Sequence, residues 1–156
     1  MVYFLKNKFL LLFARLIISG ILFFTATLAQ LYWATNKASQ NTISSSCIEC
    51  NYLEDVFFLS IFGAVLLLVL FSVLRFIKNR RYKMVLQSIT LIMVWYFCNH
   101  IIVTERITSW STFTFGEEVF LIISLSFFPV LVLFPITILT NFYLDTVYQK
   151  FKQKSN

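Results

Sequence analysis

The sequence predicts an all-α polytopic membrane protein, with four transmembrane helices in an antiparallel bundle and both termini cytoplasmic. Three observations carry that expectation. Four apolar runs are each long enough to cross a bilayer. Hydrophobic residues make up 59% of the chain and charged residues 13%, whereas a soluble domain averages about 45–50% and about 25%. Lys and Arg gather in alternate connecting segments. Nineteen Phe in 156 residues exceed what one water-soluble core of this size can hide, because a small domain leaves much of its surface in water.

A hydrocarbon layer of about 30 Å takes about 20 helical residues at about 1.5 Å each. The first run, Phe9 to Trp33, is interrupted only by Arg15, which is expected to snorkel to the inner interface. Leu16 to Ala29 also resembles the apolar part of a signal peptide. The apolar residues before it, the weak cleavage motif Thr27-Leu28-Ala29 and the aromatic pair Tyr32 and Trp33 favour a retained span. The second run, Val56 to Leu74, the third, Met84 to Val103, and the fourth, Val119 to Asn141, contain no charged residue. All four are continuous rather than alternating, which is the pattern of a lipid-embedded helix and not of a barrel strand. A helix also satisfies its own backbone hydrogen bonds where no water can. Ser60, Gly63 and Ala64 give the second span a small-residue packing face. Pro129 and Pro135 predict a kink in the fourth. From Leu144 onward the chain reads as an interfacial helix, with Tyr148 and Phe151 on one side among lysines.

Orientation follows from charge. The N-terminal segment, the Arg75–Lys83 turn and the C-terminal tail together carry eleven basic residues and one acid, Asp145. The other two connections carry two basic and six acidic residues. The positive-inside rule then places both termini and the Arg75–Lys83 turn in the cytoplasm. The formal net charge of +6 is therefore an orientation signal. It gives no folded basic face for nucleic acid.

Motifs for chemistry are sparse. Cys47-Ile48-Glu49-Cys50, in the first external loop, admits a structural disulfide, a pair of free thiols, a redox pair or half of a zinc site. Membrane oxidases that regenerate disulfide catalysts carry such a pair, but pass electrons through a second pair in the other external loop. Here Thr104 to Glu118 holds no cysteine, and Cys98 lies inside the third span. The single histidine, His100, makes a zinc site weaker still, and no nucleophile–base spacing is visible. No cofactor is expected. The third span is the most polar, with Gln87, Ser88, Thr90, Cys98, Asn99 and His100, either as interhelical glue or as a partner site. No carboxylate falls within the four runs, which argues against a proton-coupled exporter.

Several stretches carry a family resemblance. Lys83-Met84-Val85-Leu86-Gln87-Ser88 follows a basic turn and opens a polar, aromatic span. Tyr96-Phe97-Cys98-Asn99 and the pair Thr104-Glu105 follow, and Phe134-Pro135-Ile136-Thr137 closes the fourth span before a basic tail. Over about Asp55 to Lys154 the chain resembles the immunity proteins that protect bacteria from A-type pore-forming colicins. The first span and loop depart from that pattern. The resemblance implies a non-enzymatic bacterial inner-membrane protein whose partners are lipids and a pore-forming toxin. It would bind the toxin's inserting helices, its own oligomeric state being open. Toxin contacts would then fall on the external side, among Asn99, His100, Arg106, Trp110, Phe113, Phe115, Glu117 and Glu118, where polar groups discriminate and aromatics supply area. The plainer alternative for the aromatics is an interfacial belt. The alternatives to immunity are an accessory or transport subunit and a quinone-linked thiol oxidoreductase using Cys47 and Cys50.

Overall fold

A computed structural model describes residues 2–39, 41–45, 51–110 and 112–154. They form four helices, α1 Val2–Ser39, α2 Tyr52–Leu74, α3 Arg80–Arg106 and α4 Phe115–Lys154, with a short 3-10 turn at Thr108–Trp110 between α3 and α4. All four are long and apolar enough to cross a membrane, over Leu12–Ser39, Tyr52–Leu74, Arg80–Arg106 and Phe115–Lys150. Each helix outruns its uncharged stretch. At 38 and 40 residues, α1 and α4 are each nearly 60 Å long, about twice the hydrocarbon thickness.

The helix starts are written in the sequence. Asn51 caps α2 by accepting from the Leu53 amide, and Asn79 caps α3 by accepting from the Arg81 amide. Thr114 opens α4 with a capping box, because Glu117 Oε2 accepts from both the amide and the hydroxyl of Thr114 at 2.8 Å. Glu54 and Asp55 in the first turn of α2, and Glu117 and Glu118 in that of α4, face the positive ends of the helix dipoles.

The helices pack around one core, each against its chain neighbours, with α4 returning to α1 and α3 also reaching α1. Trp95, Leu31, Leu67 and Leu91 are fully buried at its centre. The indole Nε1–H of Trp95 donates to Thr27 Oγ1 at 3.1 Å, joining α3 to α1. Packing is tight at Gly63, where a Cβ would stand 3.2 Å from Thr27 Cγ2 and 3.3 Å from Cys98 Sγ. Ser60 and Ala64 are buried beside it, so small residues are what let α2 seat between α1 and α3. Outside the core, Phe58, Phe62, Val65, Phe120, Phe127 and Phe128 stand exposed. In water such a surface would aggregate, whereas lipid tails are its natural surroundings.

The segment after Leu144 is helical, as a continuation of α4, which runs unbroken through Pro129 and Pro135 to Lys154. Arg15, expected to snorkel, does not. It is buried and paired with Asp145, and its Cζ lies 4.8 Å over the Tyr148 ring. Asp145, just beyond the uncharged run Val119–Asn141, is carried on the same helix α4. Asp145 is largely buried and also accepts from Lys83 Nζ at 2.6 Å. Asp145 therefore ties α4 to α1 through Arg15 and to α3 through Lys83.

Candidate functional site

The two ends of the helix assembly are tied differently. At one end Asp145 of α4 gathers Arg15 of α1 and Lys83 of α3. At the other, Arg106 closes α3 onto α2 and the first loop. Its Nε and Nη2 donate to Asp55 Oδ2 at 2.9 and 2.6 Å, and its Nη1 donates to the Thr42 carbonyl at 2.6 Å. The guanidinium also lies over the Tyr52 ring, and Tyr52 Oη is 3.0 Å from Thr35 Oγ1 on α1. The Ser45 amide donates to the Glu105 carbonyl at 3.0 Å, laying the described part of the first loop across the end of α3.

Beside this tie, His100, Thr104 and Thr108 follow one another at helical spacing along one face of α3 and its exit. Thr104 and Thr108 both donate to Glu118 Oε1, at 2.5 and 3.1 Å. His100 Nδ1 is 3.4 Å from Thr104 Oγ1, and its Nε2 is 3.9 Å from the same carboxylate oxygen, too far for a hydrogen bond. Glu118 thus binds α4 to α3, and His100 sits at the rim of that contact with more than a third of its side chain exposed.

The sequence candidates therefore separate into roles. Asn99 is buried, its Nδ2 donating to the Trp95 carbonyl at 2.8 Å. Arg106 is 2% exposed and ties elements together. Glu117 caps α4. His100 and Glu118 come together, with Thr104 and Thr108 as partners that the composition of the loop did not single out. Phe113 and Phe115 are exposed. Trp110 belongs to the 3-10 turn, and its side chain lies outside what the structure describes. Cys47 and Cys50 also lie outside the described residues. Cys98 is a free, buried thiol against Gly63. Among the described residues no three His, Cys, Asp or Glu side chains come together as metal ligands would.

Two further features emerge from packing. Gln30 on α1 is fully buried, and neither its Oε1 nor its Nε2 has a hydrogen-bond partner among the described residues; Asn99 Oδ1 is in the same state. Thr27 and Trp95 each stand about 18 Å along their helices from the cations that share Asp145. Gln30 and Asn99 are one turn further on the same faces, so polar groups occupy one interior level. Second, an apolar groove of about 260 Å³ opens between α3 and α4. Ile92 and Tyr96 form its α3 wall, and Ile123, Phe127 and Leu131 its α4 wall. Ser126 and Val130 lie in its floor, and Ser126 Oγ is buried without a hydrogen-bond partner among the described residues. The α3 wall continues by one turn into His100, whose ring centroid is 6.3 Å from that of Tyr96.

Comparison of the chain with protein-family models, curated proteins and solved structures finds no match.

Proposed function

We propose that this chain is a multi-pass protein of a bacterial inner membrane, an antiparallel four-helix bundle with both termini cytoplasmic, and that it acts by binding. In this reading it meets the apolar helices of a pore-forming toxin as they insert, and holds them short of the open pore. The orientation rests on the charge asymmetry of the connections. It is supported by the way Asp145 gathers Arg15 and Lys83 at one end while Asp55 and Arg106 meet at the other. About 34 Å of helix separates Lys83 from Arg106, close to one bilayer core.

The observation that carries the binding reading is the groove between α3 and α4. It is apolar, open to lipid, and in the half of those helices nearer the external end. Between helices in a bilayer there is no hydrophobic drive, so association depends on close packing and a few hydrogen bonds. A groove lined by Tyr96 and Phe127, with a buried hydroxyl in its floor, supplies both. His100 at its outer rim gives a polar point at which related toxins would be told apart.

Two measurements test this. A phosphatase that works only outside the cytoplasm, fused after Asn156, should be inactive, and a fluorescent protein that folds only inside should be bright. The reverse pattern overturns the orientation. Cells sensitive to pore-forming toxins, made to express the chain, should survive at least one toxin of the hydrophobic-helix class and stay sensitive to nuclease toxins. Sensitivity to every pore former, with the chain present in the membrane, overturns the function.

A further inference from the structure

Charge does not balance at the Arg15 end. Arg15, Arg75 and Lys83 converge there, and Asp145 is the single acid among them. Arg15 and Lys83 share that carboxylate. Arg75, just past the end of α2, is half-buried and has no ion-pair partner among the described residues. A guanidinium withdrawn from water without an anion is costly, and its planar fork is built to grip two oxygens of a phosphate or carboxylate.

The space around it has two parts. A cleft of about 390 Å³ reaches from Arg75 past Lys78, Arg80 and Lys83 to Asp145. A larger groove of about 730 Å³ starts at the same Arg75 and Lys83, and is walled by Leu16, Leu68, Val69 and Val73. Val69 and Val73 are exposed one helical turn apart on the outer face of α2. One recess therefore has a cationic mouth, at the level where the apolar spans give way to charge, and a long apolar wall running back along α2. Arg80 is steered into the mouth by the Phe142 ring, which lies 4.2 Å from its Cζ.

We propose that this recess binds an acidic glycerophospholipid, its phosphodiester on Arg75 and Lys83 and its acyl chains along Leu68, Val69 and Val73. A free phosphate would match only the mouth. The apolar wall, continuous with the lipid-facing surface, is what selects a lipid. Basic pockets between helix ends are a recurrent way of holding anionic headgroups. The site is at the opposite end from His100 and Glu118, so it does not depend on the toxin-binding reading.

The test uses the full chain purified in neutral detergent. Melting is followed during titration with phosphatidylglycerol, phosphatidylcholine or inorganic phosphate, and lipid retained by the folded protein is weighed by native mass spectrometry. Phosphatidylglycerol should raise the melting temperature in a saturable way and be retained at defined stoichiometry. Phosphatidylcholine and inorganic phosphate should do neither. Arg75→Gln should weaken phosphatidylglycerol binding at least tenfold. Arg81→Gln, which removes the same charge from an exposed position outside both clefts, should leave it within twofold. Val69→Trp should block the apolar wall with every charge intact and also lose the retained lipid, so the outcome does not rest on Arg75→Gln folding. An equal response to inorganic phosphate, equal binding of both lipids, or equal loss in Arg81→Gln and Arg75→Gln each overturns the proposal.

Discussion

Asp55→Ala is expected to destabilise the protein by about 3–5 kcal/mol, the usual cost of breaking a buried ion pair by removing one partner. The two partners are not equivalent. Arg106 is 2% exposed and Asp55 24%, so removing the acid takes a carboxylate from a guanidinium that water does not reach. Removing the base leaves a carboxylate that water can reach. Arg106→Met keeps most of the side-chain volume and should therefore cost less than Asp55→Ala. The double variant should cost less than the two single losses summed, because both remove the same contact. Unfolding of the four proteins in detergent gives the coupling directly. If Asp55→Ala and Arg106→Met cost the same and their effects add, the pair does not hold the start of α2 and the end of α3 together.

That pair also shows where the sequence stops being informative. Four apolar stretches of about 20 residues have one physical solution in lipid, so the existence and number of the helices were legible in the sequence. Their ends were less so. Asn51, Asn79 and the Thr114–Glu117 capping box announce three helix starts, whereas nothing between Ile136 and Lys154 announces a stop. With no Gly or Pro in that stretch, α4 simply continues, and Asp145 becomes part of it. The partnerships Arg15–Asp145, Asp55–Arg106 and Thr27–Trp95 join residues far apart in the chain. They depend on which helix faces which, a choice that composition and hydropathy do not make. The candidate site divides for the same reason. Asn99, Arg106 and Glu117 read in sequence as polar groups on the external side, because their exposure is decided by neighbours on α1, α2 and the start of α4. The Ile92–Tyr96–His100 ridge is visible as an i, i+4 series. Its groove needs Ile123, Phe127 and Leu131 opposite, and that register is known only once α3 and α4 are docked.

On the proposed toxin-binding reading, Val130→Trp is expected to make a protected cell at least tenfold more sensitive to the toxin, about 1.4 kcal/mol of lost binding. Val130 sits in the groove floor between the walls of α3 and α4, and an indole there would project into the space an incoming helix needs. The loss follows from how helices associate in lipid. Each pair of apolar atoms in contact contributes only about 0.1–0.2 kcal/mol, so affinity comes from many such contacts made at once, and a side chain that keeps the toxin helix an ångström or two away removes most of them together. Leu131→Trp, at an exposed wall position, should act in the same direction without disturbing the core. Val65→Trp, on the exposed face of α2, should leave protection unchanged. Ser126→Ala removes the buried hydroxyl that has no partner among the described residues, and should weaken protection only about threefold, the value of one average hydrogen bond between membrane helices at about 0.6 kcal/mol. His100→Ala should alter which of several related toxins is excluded more than how strongly any one is, because a rim residue discriminates by the charge and shape it presents. Killing curves at matched membrane levels of each variant provide the measurement. Full protection by both Val130→Trp and Leu131→Trp would show that the toxin does not dock between α3 and α4. Loss of protection by Val65→Trp at normal membrane levels would place its docking face on α2.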